Sequence, residues 1–283
     1  QYIEDVKAAY DELREHMELV DVGSNNEQKH IFFKRLESAL SEGYGFSCLR
    51  VSDGEGYLFP DFGFFSEGDC QNRERHWWGL ELSETTRKEI QSEGYRAIKE
   101  CDILGIPSVF RFIRDISPKT NSLSASVQGR GLLSSLWGTV KLSKSYPLSL
   151  SEDKFNDRLF KEAESISHIA AKSRKVVFVS TIVPEIFSRN FSFSSKTEFV
   201  TIPTHQYTFQ NDSFSVGDQC FPEVYRDKLD EFIEKVEPGT LCIVAGGIIG
   251  KIFIGEAKRG GAVGLDIGHV IDGWLFPKKA VFR

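Results

Sequence analysis

The segment LCIVAGGIIGKIFIGEAKRGGAVGLDIGH, residues 241–269, decides how this chain folds. An apolar run ends at two glycines, a helical pattern follows, and a second apolar run ends at Asp266. A strand, a glycine turn, a helix and a second strand in this order are typical of a unit whose two strands lie parallel in one sheet. The segment therefore predicts an α/β protein with a mainly parallel sheet.

Strand and helix patterns alternate along the rest of the chain. Strand-like runs are FSCLRV at 46–51, DILGIP at 102–107, KVVFVS at 175–180 and EFVTIP at 198–203. Helical patterns cover 26–42, 83–101, 125–140, 155–172 and 222–236. The alternation predicts a Rossmann-like, mainly parallel sheet with helices on both faces. We expect an N-terminal helical segment at 1–43 and a single α/β domain at 44–283.

Residues 2–21 carry apolar side chains at alternating spacings of three and four, which predicts one helix. One interpretation is a helix whose apolar face packs on its own domain. The alternative is a homo-oligomer that forms through residues 1–21, because the spacing is also heptad-like.

Composition narrows the class of protein. The 283 residues are 40% hydrophobic and 27% charged, as in a globular protein, and the formal net charge is −6. An acidic chain excludes a non-specific nucleic-acid binder, since phosphates require a basic surface. No run has the length and apolarity of a transmembrane span, and no signal peptide is evident. Five cysteines without a CxxC pair favour a reducing compartment, so we expect a cytoplasmic protein, membrane-associated only through partners.

Asp53 and Glu55 flank Gly54 immediately after the first strand-like run. Ligands of open α/β sheets bind beyond the carboxyl ends of the strands, and paired carboxylates there suit Mn²⁺ or Mg²⁺ shared with a phosphate. The simpler interpretation is a solvated Asp-Gly turn.

The glycine turn of the opening segment is the second candidate. Gly246, Gly247 and Gly250 precede a helix whose N-terminus can receive an anion, Lys251 could add charge, and Asp266 is placed for a ribose hydroxyl. The alternative is tight helix–strand packing without a ligand. A dinucleotide fits poorly, because fewer than twenty residues follow Asp266. A mononucleotide or nucleotide-sugar site suits the space better.

Three motifs together resemble the bacterial glycosyltransferases with the GT-D fold. They are R-x-x-D-G-E at Arg50–Glu55, L-G-I-P at Leu104–Pro107 and D-I-G-H at Asp266–His269, and the resemblance spans about residues 28–276. It implies a GT-D-type fold and a nucleotide-sugar donor, a UDP-linked hexose, with a glycan, glycolipid or glycoprotein as acceptor. The resemblance also implies that Asp53 and Glu55 hold the metal and that Arg50 contributes to the donor site.

The catalytic base is expected at Asp272 or His269, which follow the D-I-G-H strand end. His269 could instead be a structural hydrogen-bonding histidine. Weaker candidates are Trp77–Trp78 for sugar stacking, Arg130 for a phosphate and His205 for the same cleft. Arg111 and Arg114 are interpreted as a solvated helix face.

Two alternative functions stay open at this point. One is an NAD(P)- or S-adenosylmethionine-binding enzyme built on the 241–266 unit. The other is a catalytically silent partner domain that keeps the fold and assembles through its N-terminal helix.

Overall fold

In a computed structural model of the chain, the structure describes residues 2–16, 18–19, 25–59, 64–116, 122–146, 148–204 and 221–275. The strands of these residues are β1 Glu18–Leu19, β2 Phe46–Arg50, β3 Ile103–Ile106, β4 Ser149–Glu152, β5 Lys175–Ser180, β6 Thr197–Thr201, β7 Thr240–Ala245 and β8 Val263–Asp266. The helices are α1 Tyr2–His16, α2 Asn26–Glu42, α3 Glu67–Trp78, α4 Glu84–Glu100, α5 Val109–Asp115, α6 Val127–Ser143, α7 Phe155–Phe160, α8 Ala163–Ala170, α9 Pro184–Asn190, α10 Phe221–Ile233, α11 Gly250–Arg259 and α12 Val270–Leu275, with a 3-10 helix at Glu55–Leu58.

The strands form one sheet in the order β1-β4-β3-β2-β8-β7-β5-β6. Parallel pairing joins β5 to both β6 and β7, and it joins β8 to β7 and β2. It also joins β4 to β3 and β1. The prediction of a Rossmann-like parallel sheet with connecting helices is confirmed.

The chain divides into two compact units, residues 1–20 with 49–154 and residues 21–48 with 155–283. In the first unit, α6 lies against the 3-10 helix and α1. In the second, α11 lies on β7 and β8, and the core is formed by apolar strands such as β5 and β7. The predicted boundary at residue 43 does not coincide with either unit, and the division into 1–43 and 44–283 stays a prediction.

Local sequence sets several element ends as predicted. Asn25 caps α2 by accepting hydrogen bonds from the amides of Glu27 and Gln28, and Gly43 ends the helix at a φ of 72°. Ser83 caps α4 by accepting from the amide of Thr86. These are the residue types that satisfy the unpaired groups of helix termini.

The N-terminal helix is shorter than predicted, because α1 ends at His16 and β1 follows at Glu18–Leu19. Val6, Ala9 and Leu13 are buried within the single chain. This is the packing expected of a helix on its own domain, and assembly through residues 1–21 stays a prediction.

One further expectation is corrected, and one strand was not predicted. The predicted helix at 155–172 is broken into α7 and α8. The strand β4 was absent from the sequence prediction.

Within the described residues, no helix is long and apolar enough to cross a membrane. Cys48, Cys70, Cys101 and Cys242 are buried free thiols. Cys220 lies outside the described residues.

Candidate functional site

The acidic turn lies directly beyond the carboxyl end of β2, as predicted. Residues 53–54 form the turn, and the 3-10 helix begins at Glu55. The Glu55 carboxylate accepts a hydrogen bond of 2.9 Å from the amide of Ser52. The Ser135 hydroxyl of α6 donates a hydrogen bond of 2.6 Å to the Ser52 carbonyl oxygen. The turn is therefore fixed both by its own glutamate and by the neighbouring helix.

Close backbone packing also holds this turn. A β-carbon at Gly56 would lie 2.5 Å from the Cα of Gly131 in α6, so the 3-10 helix and α6 touch through their backbones. Glycine is required at such a contact, because any side chain would separate the two elements.

Two arginines face the Asp53 carboxylate. Arg73 of α3 donates from Nη2 to Oδ2 at 3.0 Å, and Arg111 of α5 places Nη1 4.0 Å from Oδ1. The Asp53 side chain is 25% exposed, whereas those of Arg73 and Arg111 are 10% and 15% exposed. Asp53 is therefore a reachable carboxylate in a cationic environment. The interpretation of Arg111 as part of a solvated helix face is wrong.

Asp153 is a residue of this site that the sequence analysis missed, as is Arg73. It is fully buried at the carboxyl end of β4, and its carboxylate accepts from the Ser52 hydroxyl at 3.2 Å and the Ser108 amide at 3.3 Å. The same carboxylate lies 2.9 Å from Nε of Arg111. Arg50 donates to its backbone carbonyl oxygen at 3.2 Å. Asp153 thus links the residues that follow β2, β3 and β4.

We call Arg50, Arg73 and Arg111, with Asp53, Glu55 and Asp153, the charge cluster. The cluster holds three guanidinium groups and three carboxylates. The neighbouring Arg114 is bound to Asp115 by two hydrogen bonds of 2.7 Å, and this pairing raises the pKa of Arg114. The site is therefore locally balanced in charge and rich in groups that can bind either a cation or an anion.

Helix α3, which carries Arg73, is anchored by a buried acid. The Glu74 carboxylate accepts from the Tyr57 hydroxyl at 2.8 Å and from the Leu82 amide at 2.8 Å. It also receives two hydrogen bonds, of 2.6 and 2.8 Å, from Arg87 of α4. Burial, followed by the Glu74 charge, raises the pKa of Tyr57 and raises that of Cys70 to about 12. Tyr57 lies in the 3-10 helix that follows the acidic turn, so this network connects that helix to α3 and α4.

The Arg130 guanidinium is bound to a carboxylate within the fold. Its Nε and Nη2 both donate to Asp69, which also completes a capping box with Ser66. Burial alone would raise the pKa of Asp69, but the Arg130 and Ser66 hydrogen bonds outweigh it and lower that pKa.

Trp77 and Trp78 contact Tyr57 edge-on, and the Arg73 guanidinium lies 5.5 Å from the centre of the Trp77 ring. Their role in sugar stacking stays a prediction. His205 lies outside the described residues.

The glycine turn lies in the second unit, at the carboxyl end of β7. Gly247 has a φ of 57°, and a β-carbon at Gly250 would lie 3.1 Å from Cγ1 of Val244. The amides of Gly250, Lys251 and Ile252 donate to backbone carbonyls at 3.0 to 3.1 Å. These features are those of tight helix–strand packing, and anion binding by Gly246, Gly247 and Gly250 stays a prediction.

Lys251 and Asp266 form a buried ion pair between α11 and the end of β8. The lysine side chain is 2% exposed and the aspartate side chain 6%. Both charges are therefore engaged within the fold, and their predicted contact with a nucleotide is untested.

His269 and Asp272 are exposed side chains beyond β8: His269 immediately precedes α12, and Asp272 lies in the first turn of that helix. The imidazole of His269 lies 3.5 Å from the carboxylate of Asp157 in α7. The neighbouring Asn156 is fully buried and donates to the Ile267 carbonyl oxygen at 2.8 Å. Helix α7 thus fixes the D-I-G-H turn and places a carboxylate beside its histidine. The convergence of these residues with the acidic turn in one cleft stays a prediction.

Whether Asp53 and Glu55 fit a divalent cation depends on how many protein ligands the cation needs. Among the described residues, no group of three or more histidine, cysteine, aspartate or glutamate side chains is arranged to hold a metal. A magnesium ion that shares its coordination with phosphates and waters needs only one or two carboxylates. The partly exposed Asp53, with Glu55 two residues on, fits a cation of this kind rather than one enclosed by protein ligands.

No family model matches the chain, and neither does any curated protein. Three solved structures resemble it. A selenomethionine-substituted domain of unknown function 1792 has a TM-score of 0.49 and 12% identity, covering 96% of this chain and 86% of its own. The same domain, described as having a distinct glycosyltransferase fold, has a TM-score of 0.47 and 11% identity, with coverage of 96% and 86%.

The third structure is described as a new glycosyltransferase of this domain from Streptococcus sanguinis. Its TM-score is 0.47 at 13% identity, and the match covers 94% of this chain and 87% of that one. All three TM-scores are below 0.5, so the function proposed below rests on the residues of the site.

Proposed function

We propose that this chain is a glycosyltransferase that moves a hexose from a UDP-linked donor to a glycan, glycolipid or glycoprotein acceptor. The observation that carries the proposal is the Asp53 carboxylate, which is partly exposed beyond a parallel strand, next to Glu55 and between two arginines. Carboxylates and guanidiniums at one strand end are the groups that a metal-bound diphosphate requires.

Asp53 and Glu55 are the residues that would hold Mn²⁺ or Mg²⁺. When bound, such a cation neutralises negative charge that develops on the departing nucleoside diphosphate. Arg50, Arg73 and Arg111 supply positive charge from the protein itself, and Asp153 holds Arg50 and Arg111 in position before any ligand arrives. Charges that need no rearrangement during the reaction contribute most to the stabilisation of a leaving group.

Proton removal from the acceptor hydroxyl is assigned in this proposal to Asp272 or His269. Both side chains are exposed, and the Asp157 carboxylate lies 3.5 Å from the His269 imidazole, where it can orient the ring.

One contact disfavours Asp266 as a ribose ligand, and it counts against the dinucleotide and S-adenosylmethionine alternatives because they are built on the unit that ends at Asp266. An acid that binds a ribose hydroxyl must present its carboxylate to the ligand, whereas Asp266 is buried against Lys251. Breaking this pair would leave an uncompensated buried charge, which costs about 3–5 kcal/mol. The silent-partner alternative predicts no nucleotide binding at all.

A screen of thermal stability with nucleotides tests the proposal. UDP and UDP-hexoses should raise the unfolding temperature in the presence of Mn²⁺, and UDP-hexoses should slowly release UDP when incubated with the protein. NADH and S-adenosylmethionine serve as comparison ligands. Stabilisation by either of these without metal would contradict the glycosyltransferase proposal, as would the absence of any nucleotide effect.

A further inference from the structure

We propose that Arg73 is an internal counter-cation of Asp53, which it leaves when a divalent cation binds, so that its guanidinium then binds the donor diphosphate. The diphosphate half of this proposal rests on the function proposed above. The cation half depends only on Asp53 and its neighbours.

Arg73 makes a hydrogen bond to Asp53 that a cation could replace, and it has further N–H donors that could bind an anion. Nη2 donates to Oδ2 of Asp53 at 3.0 Å, where a metal ion would compete for the same oxygen. Nε is buried and has no hydrogen-bond partner among the described residues. A guanidinium carries five N–H donors, so Arg73 keeps capacity to bind an anion in the fork geometry that phosphates favour.

The charge cluster explains why the two ligands should bind together. Its three carboxylates are matched by three guanidiniums, and the adjoining Arg130–Asp69 and Arg114–Asp115 pairs are each balanced. A divalent cation alone would give the cluster an excess of positive charge, and a diphosphate alone an excess of negative charge. Both ligands together restore the balance, so each should strengthen the binding of the other, which is positive cooperativity with a negative coupling free energy.

Arg73, rather than Arg111, is the arginine that can exchange partners. Arg111 is held at 2.9 Å by the fully buried Asp153 carboxylate and reaches Asp53 only at 4.0 Å. Moving Arg111 away from Asp153 would leave the buried Asp153 carboxylate without its cationic partner. The backbone of Arg73 is fixed because its neighbour Glu74 is anchored to Tyr57 and Arg87, so the exchange requires motion of the side chain alone.

The test is Mn²⁺ binding to Arg73→Met, measured by electron paramagnetic resonance without nucleotide. Loss of the competing guanidinium should tighten Mn²⁺ binding at least about fivefold, the size of one partly exposed ion pair. UDP binding in the presence of Mn²⁺ should weaken about tenfold in the same variant, since a charged hydrogen-bond donor to the diphosphate is lost.

Two variants serve as controls. Arg75→Met removes an exposed arginine of the same helix that pairs with Glu81, and it should leave Mn²⁺ affinity unchanged. Arg73→Lys keeps the positive charge and should bind Mn²⁺ alone as weakly as the wild type does. Unfolding temperatures of all variants establish that each is folded.

Unchanged or weaker Mn²⁺ binding by a folded Arg73→Met would overturn the counter-cation role. Tighter Mn²⁺ binding with UDP affinity unchanged would overturn the transfer of Arg73 to the diphosphate. Tighter Mn²⁺ binding in a protein that binds no nucleotide would support the counter-cation role and contradict the proposed function, so the two failures are distinguishable.

Discussion

Gly131 of α6 is in direct contact with the backbone of Asp53: a β-carbon at Gly131 would lie 1.9 Å from the Asp53 carbonyl oxygen. No side chain larger than hydrogen fits at this distance, so the helix and the acidic turn must approach through bare backbone. The position of α6 therefore sets the position of the carboxylate.

Gly131→Ala should displace the acidic turn and destabilise the protein by about 1–3 kcal/mol, as overpacking does in a closely packed interior. Mn²⁺ binding should weaken along with it. Gly68→Ala is the matched control, because a β-carbon there would meet its nearest atom at 3.8 Å, within ordinary contact. Urea unfolding and Mn²⁺ titration of both variants check this. Equal behaviour of the two variants would show that the contact does not position the turn.

Glu74→Gln should be among the most destabilising substitutions in the first unit. The side chain is fully buried and balances Arg87, so its neutralisation leaves Arg87 with only the exposed Glu67 carboxylate at 3.4 Å and should cost about 3 kcal/mol. Tyr57→Phe removes one hydrogen bond to the same carboxylate and should cost about 1 kcal/mol. Denaturant unfolding gives both values, and a smaller loss for Glu74→Gln than for Tyr57→Phe would contradict the assigned network.

Arg130→Met should lower stability in a pH-dependent way. In the folded protein the pKa of Asp69 lies below its ordinary value of 3.8, because the Arg130 and Ser66 hydrogen bonds outweigh the opposing effect of burial. The resulting stabilisation is present above that ordinary value and is lost as the pH falls through the folded pKa.

The difference in unfolding temperature between wild type and Arg130→Met should therefore be largest near neutral pH and shrink toward about pH 2. At neutral pH it should correspond to about 1–3 kcal/mol, reduced from the fully buried case by the partial exposure of Arg130. A difference that is constant with pH would mean that the variant disturbs packing and not the Asp69 charge.

Sequence patterns predicted the strands that are long and apolar. The run KVVFVS and the run TLCIVA are strands β5 and β7, since six consecutive, mainly apolar residues between breakers are typical of a buried parallel strand. The strand β4 has the sequence Ser149-Leu150-Ser151-Glu152, which is short and mostly polar. Its pairing with β3 and β1 makes it a strand, and pairing is a property of the fold.

Because β4 was not predicted, Asp153 could not be recognised as a site residue. A carboxylate becomes a candidate in sequence when it follows a recognisable strand, as Asp53 follows β2. Asp153 follows β4, so its place beside Ser52 and Arg111 could not be inferred. The cationic partners Arg73 and Arg111 come from helices distant in sequence, and no spacing rule connects them to Asp53.

The central claim is that Asp53 supports metal-dependent binding of the donor nucleotide, and calorimetric titration of UDP tests it most directly. Wild type and Asp53→Asn are each titrated with and without Mn²⁺, because asparagine keeps the size of the side chain and removes its charge. Mn²⁺ should strengthen UDP binding to the wild type at least about tenfold, as expected when a divalent cation joins a carboxylate to a diphosphate. The folded variant should lose most of that gain. The account would be contradicted if Mn²⁺ did not change the affinity of the wild type for UDP. It would also be contradicted if Asp53→Asn kept the full Mn²⁺-dependent gain in UDP affinity.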